Sequence, residues 1–144
     1  MQELKELFKI IDMMIKSCDI DYNLLKDMDI DADFFEDYDN VRIVNSFLFN
    51  FSKIQDKIGA KLFKKVLYEL KEIDNFSIPF RDVLNILEKL EILDSYEWEK
   101  LREIRNNLAH EYPFDYDDRV ENLKLVLKYY PTLKNIYFNL KKVL

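Results

Sequence analysis

Apolar residues return at every third or fourth position over most of the chain. Leu4, Leu7, Ile11, Met14 and Cys18 form one such stripe and predict a first helix over residues 2–17. Val44, Leu48, Phe51, Ile54, Ile58, Leu62, Val66 and Leu70 predict the longest helix, over residues 39–71. Asn75-Phe76-Ser77-Ile78-Pro79 is a break. Pro79 suits the first turn of the next helix, whose inward positions are Phe80, Val83, Leu84, Leu87 and Leu90. Asp94-Ser95 offers an N-cap for a further helix, with acidic Glu97 in its first turn, and Pro113 stops it. Val120, Leu123, Leu127, Tyr130, Leu133, Ile136 and Leu140 predict a last helix over 117–143, which Pro131 should kink or split. Residues 19–39 read as an acidic connector with a short helical turn at 22–25.

Amphipathic helices on short connections pack most naturally as an all-α antiparallel bundle of four to five helices, here one domain over residues 1–144. Composition agrees. The 144 residues are 49% apolar and 15% aromatic, enough for a core, and one Gly with three Pro leaves little punctuation for hairpins. Gly59 falls inside the long helix, where Gly costs roughly 1 kcal/mol relative to Ala. With Ala60 beside it, the expected compensation is close approach of another helix, from this chain or from a second subunit.

Net charge is −6, which argues weakly against binding a polyanion, but the charge is unevenly spread. Residues 19–39 hold eight Asp and one Glu against Lys26, a balance of −8. Residues 53–71 hold six Lys against Asp56 and Glu69, a balance of +4, and residues 119–144 hold six basic residues against Glu121, a balance of +5. Local sign decides where a polyanion docks. Cys18 is the only cysteine, so no internal disulfide forms. The charged segment Gln2-Glu3-Leu4-Lys5-Glu6 lacks a signal-peptide core, and no apolar run reaches the ~20 residues of a membrane span. A cytoplasmic protein is expected.

Several chemistries are excluded. One Gly removes the P-loop and the dinucleotide fingerprint, which need several glycines against phosphate. One His and one Cys cannot build a zinc site within one chain, and no metal is expected. The Asp27, Asp29, Asp31, Asp33 alternation resembles the start of a calcium loop. It has Ala32 or Phe34 where that loop needs Gly, and Tyr38 or Asn40 where it needs Glu. A solvated acidic connector, or a patch for a basic partner, is the better reading.

One segment carries chemistry: Arg102-Glu103-Ile104-Arg105-Asn106-Asn107-Leu108-Ala109-His110-Glu111-Tyr112-Pro113, with the only His of the chain. Arg105-Asn106-x-x-x-His110-x-Tyr112 resembles the R-x4-H-x-Y signature of HepT proteins, ribonuclease toxins of the HEPN superfamily that pair with a minimal nucleotidyltransferase antitoxin. The order of helices agrees with that family; the Asp-rich connector departs from it. The resemblance implies a homodimer acting on RNA without cofactor or metal. Metal-free RNA cleavage needs a base for the 2′-hydroxyl, an acid for the leaving oxygen, and positive charge at the phosphorane. His110 suits the proton transfers, Arg105 offers a planar fork for phosphate oxygens, and Asn106 would orient one or both. The resemblance also implies that Tyr112 accepts AMP from the antitoxin, placing a bulky anion beside the cleft.

Helical geometry sets a condition on this site. Arg105 and His110 lie about 140° apart around a regular helix, whereas Arg102, Asn106 and His110 follow one face. Either the last turn unwinds before Pro113, or two copies of the helix meet across a twofold axis and share residues; the dimer is expected. Arg102, Lys53 and Lys57 are further candidates for RNA or phosphate contact. Each has a plainer alternative: Arg102 paired with Glu99 or Glu103, and the lysines on a solvated face with Lys61, Lys64 and Lys65. Trp98 reads as core, and Tyr112 could simply cap the bundle end. A non-catalytic HEPN subunit of a nucleotidyltransferase is the alternative function.

Overall fold

A computed structural model describes residues 1–144 and contains helices and no strands. Helix α1 spans Gln2–Leu25, α2 Tyr38–Lys57, α3 Phe63–Glu69, α4 Phe80–Lys89, α5 Ser95–Ala109 and α6 Tyr116–Lys142. A single π turn, Ile58–Leu62, joins α2 to α3 without a break, so the two form one rod and the bundle has five.

Gly59 is the second residue of the π turn. A Cβ added there would lie 2.8 Å from Trp98 Cζ2 of α5, so the missing side chain makes room for an indole from within the chain. The expected close approach is therefore real, and it is a side chain of α5 that approaches.

Two matched sets of contacts fix α1 antiparallel to α6. The Tyr130 hydroxyl donates to Asp19 Oδ1 at 2.7 Å, with Lys134 Nζ 2.8 Å from the same oxygen. One heptad further along α6 and one heptad back along α1, the Tyr137 hydroxyl donates to Asp12 Oδ1 at 2.7 Å, with Lys141 Nζ at 3.1 Å. Helix α2 also runs antiparallel to α1: Ser46 Oγ donates to Asp21 at 2.7 Å and Asn50 Nδ2 to Ser17 at 3.4 Å. Between these helices lies one continuous core, including Ile11, Phe47, Phe51, Phe63, Tyr130 and Tyr137.

Four boundaries differ from the sequence expectation. Helix α1 runs two turns beyond residue 17, because Cys18 and Leu25 stay buried and Asp19 and Asp21 gain the partners just named. The acidic connector is correspondingly shorter and contains a 3₁₀ turn, Ala32–Glu36, which buries Phe34 and Phe35. Pro131 does not split α6, which buries Tyr130 and Leu133 on either side of it. Helix α5 ends at Ala109, with His110 as its C-cap, ahead of Pro113. At two helix ends Lys71 (φ 62°) and Glu91 (φ 60°) take the left-handed conformation that glycine usually supplies. No helix is long and apolar enough to cross a membrane.

Candidate functional site

Helix α5 begins at the Asp94 N-cap, whose carboxylate accepts from Tyr96 N. It buries Trp98, Leu101 and Ile104, which turns Arg102, Arg105 and Asn106 toward α2 and α4. A groove of about 680 Å³ opens there. Gln55, Asp56, Gly59 and Ala60 form one wall, Phe80, Arg81 and Leu84 another, and Trp98, Glu99, Arg102, Arg105 and Asn106 the third. Arg105 also borders a smaller groove of about 400 Å³, with Asn45, Phe49, Lys53, Leu108 and Glu111. Its side chain thus stands on the ridge between the two.

The Arg105 fork is occupied by a carboxylate. Nε donates to Asp56 Oδ1 at 3.2 Å and Nη2 to Asp56 Oδ2 at 3.1 Å. This is the bidentate geometry with which Arg also grips phosphate. Arg102 pairs with Glu99 at 3.2 Å, the plainer of its alternatives, and its guanidinium lies 6.0 Å from the Phe80 ring centroid. Lys53 borders the smaller groove and sits over the Phe49 ring, while Lys57 lines neither groove.

His110 is exposed and lines neither groove. Its backbone N–H still donates to Asn107 O at 3.2 Å, so its Cα completes the last turn of α5. The chain leaves helical geometry only at His110 itself (φ −108°, ψ 13°), too late to swing the imidazole toward Arg105. Within one chain the structure brings Arg105, Asn106 and Arg102 to one groove and leaves His110 apart. Tyr112 is 63% exposed and stacks on exposed Phe114, ring centroids 5.9 Å apart, so its hydroxyl stands free of the core.

The loop that holds His110 and Tyr112 is anchored by a side chain between them. Glu111 points inward, accepting from Arg119 Nε at 3.2 Å and Asn122 Nδ2 at 2.8 Å. Arg119 also donates to Asn45 Oδ1 at 3.2 Å and to Pro113 O at 3.5 Å, and packs over the Phe35 ring at 4.6 Å. Sequence reasoning missed this network, since the pair spans a loop and no helical spacing links its members. It also missed Gln55, a polar residue within the apolar stripe at the turn between Phe51 and Ile58. That misplaced polarity was the available signal. Gln55 Oε1 and Trp98 Nε1 are buried in the wall of the larger groove with no hydrogen-bond partner, a state that costs about 1–3 kcal/mol for each group.

Comparison of the chain with protein-family models, curated proteins and solved structures returns no match.

Proposed function

We propose that the protein is a metal-independent endoribonuclease of the HepT type, acting in the cytoplasm as a homodimer and silenced by AMP transfer to Tyr112. The observation that carries this reading is the Arg105 fork. It is partly exposed, stands between two grooves, and already holds two oxygens of one planar anion at hydrogen-bond distance. A phosphodiester offers two oxygens to the same fork once Asp56 yields. Exposed His110 supplies the proton transfers, and Asn106 stands in the same groove as Arg105 to orient a substrate.

Because Arg105 and His110 point apart on one helix, each active site takes one of them from each of two copies. Ile10, Met13, Ile20 and Leu24 of α1 and Phe49 of α2 are exposed apolar side chains on adjoining helices, suitable for burial against a second copy. The direct test is cleavage of single-stranded RNA in excess EDTA. The wild-type chain should cut, and Arg105→Ala and His110→Ala should each lose at least about 100-fold in rate while keeping the wild-type melting temperature. Undiminished cleavage in both variants, or none in the wild type, overturns the proposal.

The second reading, a non-catalytic subunit that docks a nucleotidyltransferase, is favoured by the exposed Tyr112–Phe114 stack, a flat aromatic surface with a free hydroxyl. It is the outcome if the purified chain forms a stoichiometric complex with such a partner and never cuts RNA.

A further inference from the structure

The loop from α5 to α6 ends in a hook that its own chain leaves bare. Phe114 is 81% exposed, and its aromatic neighbour, Tyr112, is exposed as well. Tyr116, two residues on, turns inward instead and stacks on Phe35, ring centroids 6.0 Å apart. Asp117 follows in the first turn of α6, exposed and in no ion pair. Large bare aromatic side chains gathered in one place mark a contact surface. The groove between α2, α4 and α5 carries the complementary features. Phe80, Leu84 and Ala60 line it with apolar surface, and Arg81 on its rim pairs with no carboxylate, unlike Arg102 and Arg105.

We propose that this loop docks in the groove of a second copy, and reciprocally, with Phe114 against Phe80 and Leu84 and Asp117 facing Arg81. Helix α5 sets the register. Arg105 and His110 lie five residues apart on it, about 7.5 Å along its axis. Two copies of α5 laid antiparallel about a dyad at residues 107–108 bring each Arg105 level with His110 of the other copy. Beyond His110, the chain of one copy then runs past the residues that precede Arg105 in the other. Those residues, Arg102 and Trp98, form a wall of the groove. Asn106, Asn107 and Ala109 near the dyad are exposed and short, so the two helices can approach closely. Charge agrees with the pairing. Three arginines against Asp56 and Glu99 give the groove lining +1, and exposed Asp115 and Asp117 give the loop −2. Each copy offers one hook and one groove, so the contact is isologous and closes at two chains. The inference deepens the ribonuclease reading and takes its register from the shared site. The fit of hook to groove stands on the two surfaces alone.

The test is the dimer dissociation constant from analytical ultracentrifugation of the purified chain and its variants. Phe114→Asp and Arg81→Glu should each weaken the dimer by at least about tenfold. Both positions are exposed, so helical content by circular dichroism should not change. Asp117→Arg should weaken the dimer in the same way. Arg81→Glu and Asp117→Arg combined in one chain should bring association back toward the wild type, because the charges then pair with their signs exchanged. A double variant no tighter than the weaker single one overturns the Arg81–Asp117 contact, since a general loss of charge or of folding gives no such rescue. A monomeric wild type, or a dimer indifferent to both Phe114→Asp and Arg81→Glu, overturns the docking itself. So does a dimer that survives those changes and is lost in Ile20→Glu, since it is then joined through α1. None of these readings requires cleavage. A dimer that behaves as expected and never cuts RNA upholds the docking while the ribonuclease reading fails.

Discussion

Glu111 and Arg119 form a buried ion pair, Oε1 to Nε at 3.2 Å, across the loop that carries Tyr112 and Pro113. The two side chains are 12% and 9% exposed, and each has further partners: Asn122 on the acid, and Asn45, Pro113 and the Phe35 face on the base. The pair pins the C-terminal end of α5, and with it His110 and Tyr112, to α2 and α6.

Removing one member of such a pair leaves the other buried and uncompensated, which costs about 3–5 kcal/mol. Glu111→Ala should therefore lower unfolding stability by about 3 kcal/mol in chemical denaturation. Arg119→Met, which keeps much of the apolar stem, should be as damaging, because Glu111 is then the orphan. A loss below about 1 kcal/mol for both would show the pair to be solvated, as surface pairs are.

Asp56 holds Arg105 in the free protein, and both side chains are substantially exposed. An ion pair of this kind is worth about 0–1 kcal/mol, since water screens it. Asp56→Asn should therefore leave the melting temperature nearly unchanged while freeing a guanidinium. Binding of single-stranded RNA should tighten several-fold, measured by fluorescence anisotropy at fixed salt. Weaker binding would mean that Asp56 orients Arg105 rather than competing for it.

Much of the bundle was legible in the sequence because burial follows helical periodicity. The Asp94 cap and most inward positions of α4 and α6 follow directly from spacing, but α6 also buries Val126 and Tyr137 beside the expected stripe, while Val120 and Leu127 are only partly buried. The reach of α1 was not legible. Its last two turns carry Asp19 and Asp21, which read as the start of the acidic connector, and the groups that hold Asp19 in the helix, Tyr130 and Lys134, lie more than a hundred residues away. The candidate site was legible only as a list. Resemblance to the R-x4-H-x-Y signature singled out Arg105, Asn106, His110 and Tyr112, helical spacing added Arg102, and the angle between Arg105 and His110 follows from helix geometry alone. Asp56, Gln55 and Arg81 reach the groove from other helices, so no local pattern reveals them.

The core also sets how the protein responds to alkali. Burial pushes the Cys18 thiol up to about 12, against a lesser opposing effect of the Tyr130 hydroxyl. Burial likewise raises the Tyr130 and Tyr137 hydroxyls, aided for Tyr130 by Cys18 and Asp19 and for Tyr137 by Asp12. All three groups hold their protons more tightly folded than unfolded. Their contribution is fully present below the unfolded values of 9.0 for the thiol and 10.0 for the phenols, and is lost as pH rises beyond them. Stability from urea midpoints should fall steadily above pH 9. Tyr137→Phe should flatten that fall, and an unchanged slope in this variant would contradict the assignment.

A site shared between two copies makes a demand that no single-chain site meets. Arg105→Ala and His110→Ala chains are each inactive alone, but a heterodimer of the two retains one site with its guanidinium from one protomer and its imidazole from the other. Unfolding and refolding an equimolar mixture should restore about a quarter of wild-type RNA cleavage, since half the dimers are mixed and each has one intact site of two. A mixture that forms heterodimers and stays as inactive as either variant would contradict the shared site.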